Sequence, residues 1–259
     1  MAKIDKSKYS KEEYRRLKEQ RKINKARERI AKQSAIERSK PQPNPTLIKI
    51  QEHAQELVEE NVSGMRKAFI IGNGMSRKGI PLEPLRAFGK MYGCNAIYRT
   101  FDPDYLIAVD TRMVFEITKT GWHLTRPLWT NPNRSYRNIT HLNLFDPSKG
   151  WSSGPTALWL ASQHKHKIIY ILGFDYKGLD DGRFVNNIFS STPNYKKSGD
   201  RATFYGNWLK QTVITVKENP NIQYVRVIDK EGFIPPDLVN IDNIKHITVE
   251  DFKNRHGLM

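Results

Sequence analysis

Residues 68–76 read AFIIGNGMS. Four apolar residues lead directly into Gly-Asn-Gly-x-Ser. An apolar run of that length bounded by glycine predicts a buried strand that ends in a tight turn. Two glycines in a turn allow backbone N–H groups to approach an anion closely. A following Ser76 can cap the next segment, and a helix start favours phosphate. The competing reading is a strand-exit turn with no ligand. The stretch is not the dinucleotide fingerprint, because position 77, where a third glycine belongs, is Arg77. It lacks the Lys-Ser/Thr pair of a Walker loop as well.

Outward from this turn the same texture repeats. Short apolar runs stand at 67–72, 90–95, 104–110, 167–175 and 222–229. Helix-like segments at 111–119, 153–164 and 202–218 alternate with them. Such alternation predicts an α/β fold: one Rossmann-like domain with a mostly parallel sheet and helices on both faces. In an open parallel sheet, ligands bind beyond the carboxyl ends of the strands. The Gly72–Ser76 turn, Asn95, Asp110 and the helix start Ser153-Gly154 are all expected at that edge, converging on one crevice. No internal repeat is visible.

The chain has 259 residues and a net charge of +16. Residues 1–40 hold 15 Lys/Arg against 6 Asp/Glu, so this segment alone carries +9. A domain map follows: a basic, helical or disordered arm with a Pro-rich linker over 1–45, a linking helix over 46–66, and the α/β domain over 67–259. Within the arm, Ser10 and Glu13 have capping-box spacing. The arm is a candidate for nucleic acid or another polyanion, with a solvated tail as the plain alternative. No run of 18 apolar residues exists, so no membrane span is expected. Cys94 is the single cysteine, which fits a reducing compartment, and a cytoplasmic location (or a virion) is expected. No Cys/His metal-ligand spacing stands out. His164 and His166 are expected to form a solvated basic turn. The five tryptophans are expected to pack in the core or at its rim, and Tyr98-Arg99 with Phe101 is a candidate base-stacking group.

The segments AFIIGNGMSRKGIPLEPL (68–85), YGCNAIYR (92–99) and SSGPTALWLASQHKHKIIYILGFDY (152–176) resemble, in order and spacing, the bacterial family 42 sialyltransferases. A more distant similarity is to the domain that includes archaeal-type hydroxymethylpterin diphosphokinases. The resemblance spans roughly 67–229 and does not include the basic arm. It implies a nucleotide-sugar substrate, CMP-linked in the usual case, bound without a metal cofactor. It implies nucleotide contacts from Gly72, Asn73, Gly74 and Asn95, and a donor contact from Ser153. The family's lid corresponds to 176–206, where PNYKK (193–197) and DRATFYGNW (200–208) follow its pattern. Two departures matter. The position of the family's general-base histidine is Asn207, and an amide cannot accept a proton near neutral pH. The two phosphate-binding tyrosines correspond to Lys177 and Arg183, cations that can still stabilise a leaving phosphate. Asp175, Asp110, Asp180 and Asp181 are the alternative bases, Asp175 having a plain reading as a cap for the next turn. The expected function is a sialyltransferase-like glycosyltransferase with a polyanionic acceptor. The alternative is a non-catalytic nucleic-acid-binding or virion- or ribonucleoprotein-associated protein that retains the fold. Diphosphate transfer to a pterin would need Mg²⁺ and a carboxylate pair, and no such pair is evident.

Overall fold

The computed structural model describes residues 67–258 and, near the N-terminus, Ser10–Glu28 apart from Tyr14, Leu17, Ile23, Ala26 and Arg27. The chain divides into two units, Met1–Leu57 and Val58–Met259.

In the first unit the described residues from Lys11 to Glu28 are helical and exposed. Ser10 and Glu13 form the reciprocal pair that their spacing predicts. Ser10 N donates to Glu13 Oε2 (2.9 Å) and Glu13 N to Ser10 Oγ (3.3 Å). The serine hydroxyl first, then the serine amide, holds the Glu13 carboxyl below its ordinary value. The Pro-rich linker and the helix expected over 46–66 lie outside the described residues.

The second unit is built on one eight-stranded sheet, in which every neighbouring pair is parallel. The strands are β1 (Lys67–Ile71), β2 (Lys90–Cys94), β3 (Tyr105–Ile107), β4 (Leu128–Thr130), β5 (Leu142–Leu144), β6 (Ile168–Leu172), β7 (Gln223–Ile228) and β8 (Ile244–Thr248). The helices packed on them are α1 (Thr111–Lys119), α2 (Ser153–Gln163), α3 (Gly206–Glu218) and α4 (Val249–Arg255). Strand order is β5-β4-β3-β2-β1-β6-β7-β8. The chain therefore winds outward from β1 to one edge, returns through α2, and winds outward again from β6. The direction of winding reverses between β1 and β6.

Period-two alternation in β1 shows why both faces need helices. Phe69 and Ile71 join one apolar cluster with α1 and α4. Ala68 and Ile70 join the other, with α2 and α3. All four are fully buried, and removing a large apolar side chain from water contributes about 1.5–3 kcal/mol. The expected α/β class, helices on both faces included, is what the chain forms. Strands β4 and β5, edge strand β8 and helix α4 were absent from the pattern read in the sequence. β4 and β5 have three residues each, too few to show a period. β8 (IKHIT) carries an exposed Lys245 and interrupts its apolar run. Among the described residues, no helix is long and apolar enough to cross a membrane.

Candidate functional site

The strand exits of β1 and β6 lie side by side and are joined backbone to backbone. Gly72 N donates to Leu172 O (2.8 Å) and Gly74 N to Gly173 O (2.9 Å). The approach is so close that side chains are excluded. A Cβ at Gly72 would sit 2.6 Å from Gly173 O and 2.7 Å from the Phe174 ring. A Cβ at Gly74 would sit 2.5 Å from Asp175 Oδ2. These glycines serve the joint between two strand exits.

The turn's amides are spent in the same way. Met75 N donates to Asn186 Oδ1 (2.8 Å) and Ser76 N to Asp175 Oδ2 (3.1 Å). Four of the five amides from Gly72 to Ser76 are thus held by internal acceptors. The expectation that this turn grips an anion through its main chain is corrected: the fold already uses these donors. Ser76 is buried, and its hydroxyl donates to Asp175 Oδ1. Asp175 takes the capping role, with both carboxylate oxygens on Ser76.

Two buried arginines fix the backbone around this joint. Arg77 Nε donates to Gly72 O, and burial pulls its guanidinium down to about 10, so it stays charged at neutral pH. Arg226, 1% exposed, donates from Nε to Phe174 O (2.8 Å) and from Nη2 to Phe233 O (3.0 Å). Neighbouring Cys94 is buried, and burial pushes its thiol up to about 12, which keeps it protonated and non-nucleophilic.

Above the joint, between the strand ends, the start of α2 and the segment 173–208, opens a cavity of about 450 Å³. Nine expected site residues line it: Gly72, Asn73, Gly74, Asn95, Asp110, Ser153, Gly154, Asp175 and Lys177. Three expected residues do not. Ser76 is under the turn. Arg183 points away, with an exposed side chain paired to Asp180. Asn207, on the first turn of α3, is exposed and outside the wall, where Tyr205 and Trp208 stand on either side of it in sequence. Of the carboxylates, Asp110 combines a place in the wall with light internal use. Its Oδ1 caps α1 by accepting from Arg112 N (2.9 Å) and Met113 N (3.4 Å). Asp180 and Asp181 are not in this wall.

The α2 end of the cavity differs from the glycine turn. Its first internal helical bond runs from Thr156 N to Ser152 O (3.0 Å). Ser152 provides no side-chain cap, Pro155 has no N–H, and the amides of Ser153 and Gly154 precede that bond. Ser153 Oγ is engaged elsewhere, accepting from Val109 N (3.0 Å) at the end of β3. Asn95, which directly follows β2, also lines the cavity. It has a positive φ of 54°, and its Oδ1 is buried without a hydrogen-bond partner.

The segment expected as a lid is tied down over the β1 and β2 ends. Ile188 N donates to Asn73 O (2.8 Å), and Asn186 bridges Met75 N and Lys177 O. Tyr195 Oη accepts from Asn73 Nδ2 and from Ala96 N, each at 3.3 Å. Burial raises that phenol well above its ordinary value, so it stays neutral. Arg99 donates to Glu116, Thr192 and Pro193, and Asn194 Nδ2 to Glu116 Oε2 (2.6 Å). The Tyr98-Arg99 pair, a candidate base-stacking group in the sequence, is thus used as an anchor for 192–194. His164 and His166 both contact Tyr92 Oη, at 2.6 and 2.9 Å; the turn expected there to be solvated is exposed at His164, Lys165 and Lys167, while His166 is buried. Asn186 and Tyr205 are not singled out by any local sequence pattern, and Trp208, expected only as core or rim packing, also lines the cavity. Arg77 was visible only as a break in the glycine pattern.

Among the described residues, no three His, Cys, Asp or Glu side chains are grouped to hold a metal ion. No family model, curated protein or solved structure matches the chain.

Proposed function

We propose that the cavity binds a nucleotide sugar, CMP-linked as the sequence resemblance implies, and that the protein is a sialyltransferase-like glycosyltransferase. The observation that carries this reading is Asn95. A buried acceptor without a donor costs about 1–3 kcal/mol, and its left-handed backbone adds strain of a kind that gathers at ligand sites. An amino or hydroxyl group of a nucleotide supplies the missing donor. The two leading amides of α2 and the Lys177 ammonium suit the phosphate. Tyr205 and Trp208 offer an apolar wall.

In the transfer step, the acceptor hydroxyl gives its proton to Asp110 and its oxygen bonds to the anomeric carbon. The bond from that carbon to the phosphate oxygen breaks, and the phosphate keeps the electron pair beside Lys177. Asp110 takes the part that Asn207 cannot.

A thermal-shift panel of CMP, UDP and GDP with their sugars tests the binding. The expected result is stabilisation by the cytidine compounds, about 2.7 kcal/mol at a hundredfold excess over Kd. Lys177→Ala weakens it about tenfold, the loss of one charge-assisted bond. No response to any nucleotide overturns the reading. The displacement of Asn207 from the wall favours a second reading, a non-catalytic binding protein. Sugar transfer that Asp110→Asn abolishes without loss of binding decides against that one.

A further inference from the structure

A second cavity, of about 470 Å³, adjoins the first and shares Lys177, Gly178, Ala202, Thr203 and Tyr205 with it. Its aromatic members are Phe204, Tyr205 and Phe233. Phe204 is 79% exposed, the highest value for any large apolar side chain described. Its ring lies against the main chain at Gly206. A Cβ at Gly206 would fall 2.6 Å from Phe204 Cζ, so the ring lies over a residue that has no side chain. Phe184, 39% exposed, is held nearby by antiparallel bridges to Leu179 and Arg201.

Cations are interleaved with these rings. Lys177 Nζ lies 6.0 Å from the centre of Phe233, and the Arg183 guanidinium 5.6 Å from that of Phe184. Arg201 lines the cavity, and Lys196 Nζ donates to Arg201 O (3.2 Å). Two of the cations have carboxylate partners, Asp181 and Asp180, in exposed ion pairs. Such pairs contribute little in water and exchange readily for another anion.

We propose that this second cavity and the adjoining surface of Arg183 and Phe184 form a binding site for single-stranded nucleic acid, with bases stacked on Phe204 and Phe184 and phosphates at Arg183 and Arg201. Exposed aromatic faces alternating with cations are what a single strand requires. An apolar protein surface would bury these charges without compensation, and a neutral sugar would leave the cations without anions. Because the two cavities share a wall, the strand is placed to serve as the acceptor in the transfer step. That acceptor role rests on the nucleotide-sugar reading, whereas strand binding does not.

The test is fluorescence anisotropy with the full chain, labelled dT12 and an abasic strand of equal length, in about 0.3 M salt to weaken purely ionic contacts. Phe204→Ala is expected to raise the Kd for dT12 about tenfold. Phe204→Tyr keeps it within about twofold, since a stacking face remains. The abasic strand binds wild type and Phe204→Ala alike. Gly206→Ala, which displaces the ring without removing it, gives an intermediate loss. Equal dT12 affinity for wild type and Phe204→Ala overturns the proposal, and so does an equal loss on the abasic strand or on a sulfated oligosaccharide. Far-ultraviolet circular dichroism confirms that the variants fold. The thermal shift with cytidine nucleotides is unchanged in Phe204→Ala. Absence of that shift in wild type overturns the nucleotide reading alone.

Discussion

The Gly72–Ser76 turn, through Gly72, Asn73 and Gly74, and the Ser152–Pro155 start of α2 line the same cavity. Both combine small residues with backbone amides at the carboxyl edge of the sheet. They use those amides in opposite ways. In the turn, each glycine removes a Cβ that would strike the β6 exit, and four of five amides have partners within the fold. In α2 the helix begins without a side-chain cap, and its first two amides precede the first internal bond. A glycine-rich sequence at a strand end is therefore an incomplete signal for an anion site. What decides is whether another part of the chain has already claimed the donors.

The largest effect is expected where the turn is most tightly built. Gly74→Ala places a methyl group against Asp175 Oδ2 and 2.7 Å from Gly173 O, a main-chain atom that cannot move alone. The strand joint must open, at a cost of about 3 kcal/mol, the upper range for overpacking a core. Chemical denaturation measures it as a lower urea midpoint with an unchanged slope. A stability within about 0.5 kcal/mol of wild type would mean that the turn is not a rigid joint, and the contrast with α2 would fail.

The sequence revealed some of this and hid the rest for definite reasons. The α/β alternation was legible because β1, β2, β6 and β7 are five or six residues long and buried on both faces. Nine site residues were legible because strand order puts every carboxyl end on one edge, whatever each residue then does there. Their roles were not legible. Asp175 reads equally well as a base or a cap until Ser76 is seen on both of its oxygens. Arg183 and Asn207 were placed by a lid pattern, and a pattern in a long connection does not determine which way a side chain turns. Asn186 and Tyr195 hold Met75 and Asn73 from more than 100 residues away, a relation that no window of sequence contains.

Acidification separates stability from binding at an intermediate scale. Burial is the leading cause that lowers His123, His164, His246 and His256 below the ordinary imidazole value of 6.5. Each is therefore neutral in the fold at a pH where the unfolded chain already binds a proton. Their contribution is complete above 6.5, and it is lost as the pH falls below that value toward the lowered folded values. The urea midpoint is expected to drop between pH 6.5 and 5, above the range where carboxylates titrate. No histidine lines the cavity. Affinity for a nucleotide sugar, whose phosphodiester does not titrate in this range, should stay constant from pH 8 to 6. A parallel fall in affinity would tie the cavity to the histidine-bearing core and blur the distinction between the two regions.

The smallest effect is the most discriminating. Gly154→Ala adds a methyl group 3.1 Å from Phe174 Cζ, with the other ring atoms at 3.6 Å. Only the edge of one ring has to give, by a few tenths of an ångström, and alanine repays part of that cost because it loses less backbone entropy in a helix than glycine. The net change should fall within about 1 kcal/mol in either direction. The methyl group points at Phe174 rather than at the amides of Ser153 and Gly154, so stabilisation by a cytidine nucleotide should persist. If this variant instead loses as much stability as Gly74→Ala, the start of α2 is held as rigidly by its neighbours as the turn is. Packing rigidity would then no longer separate the two regions, and only the use of their amides would.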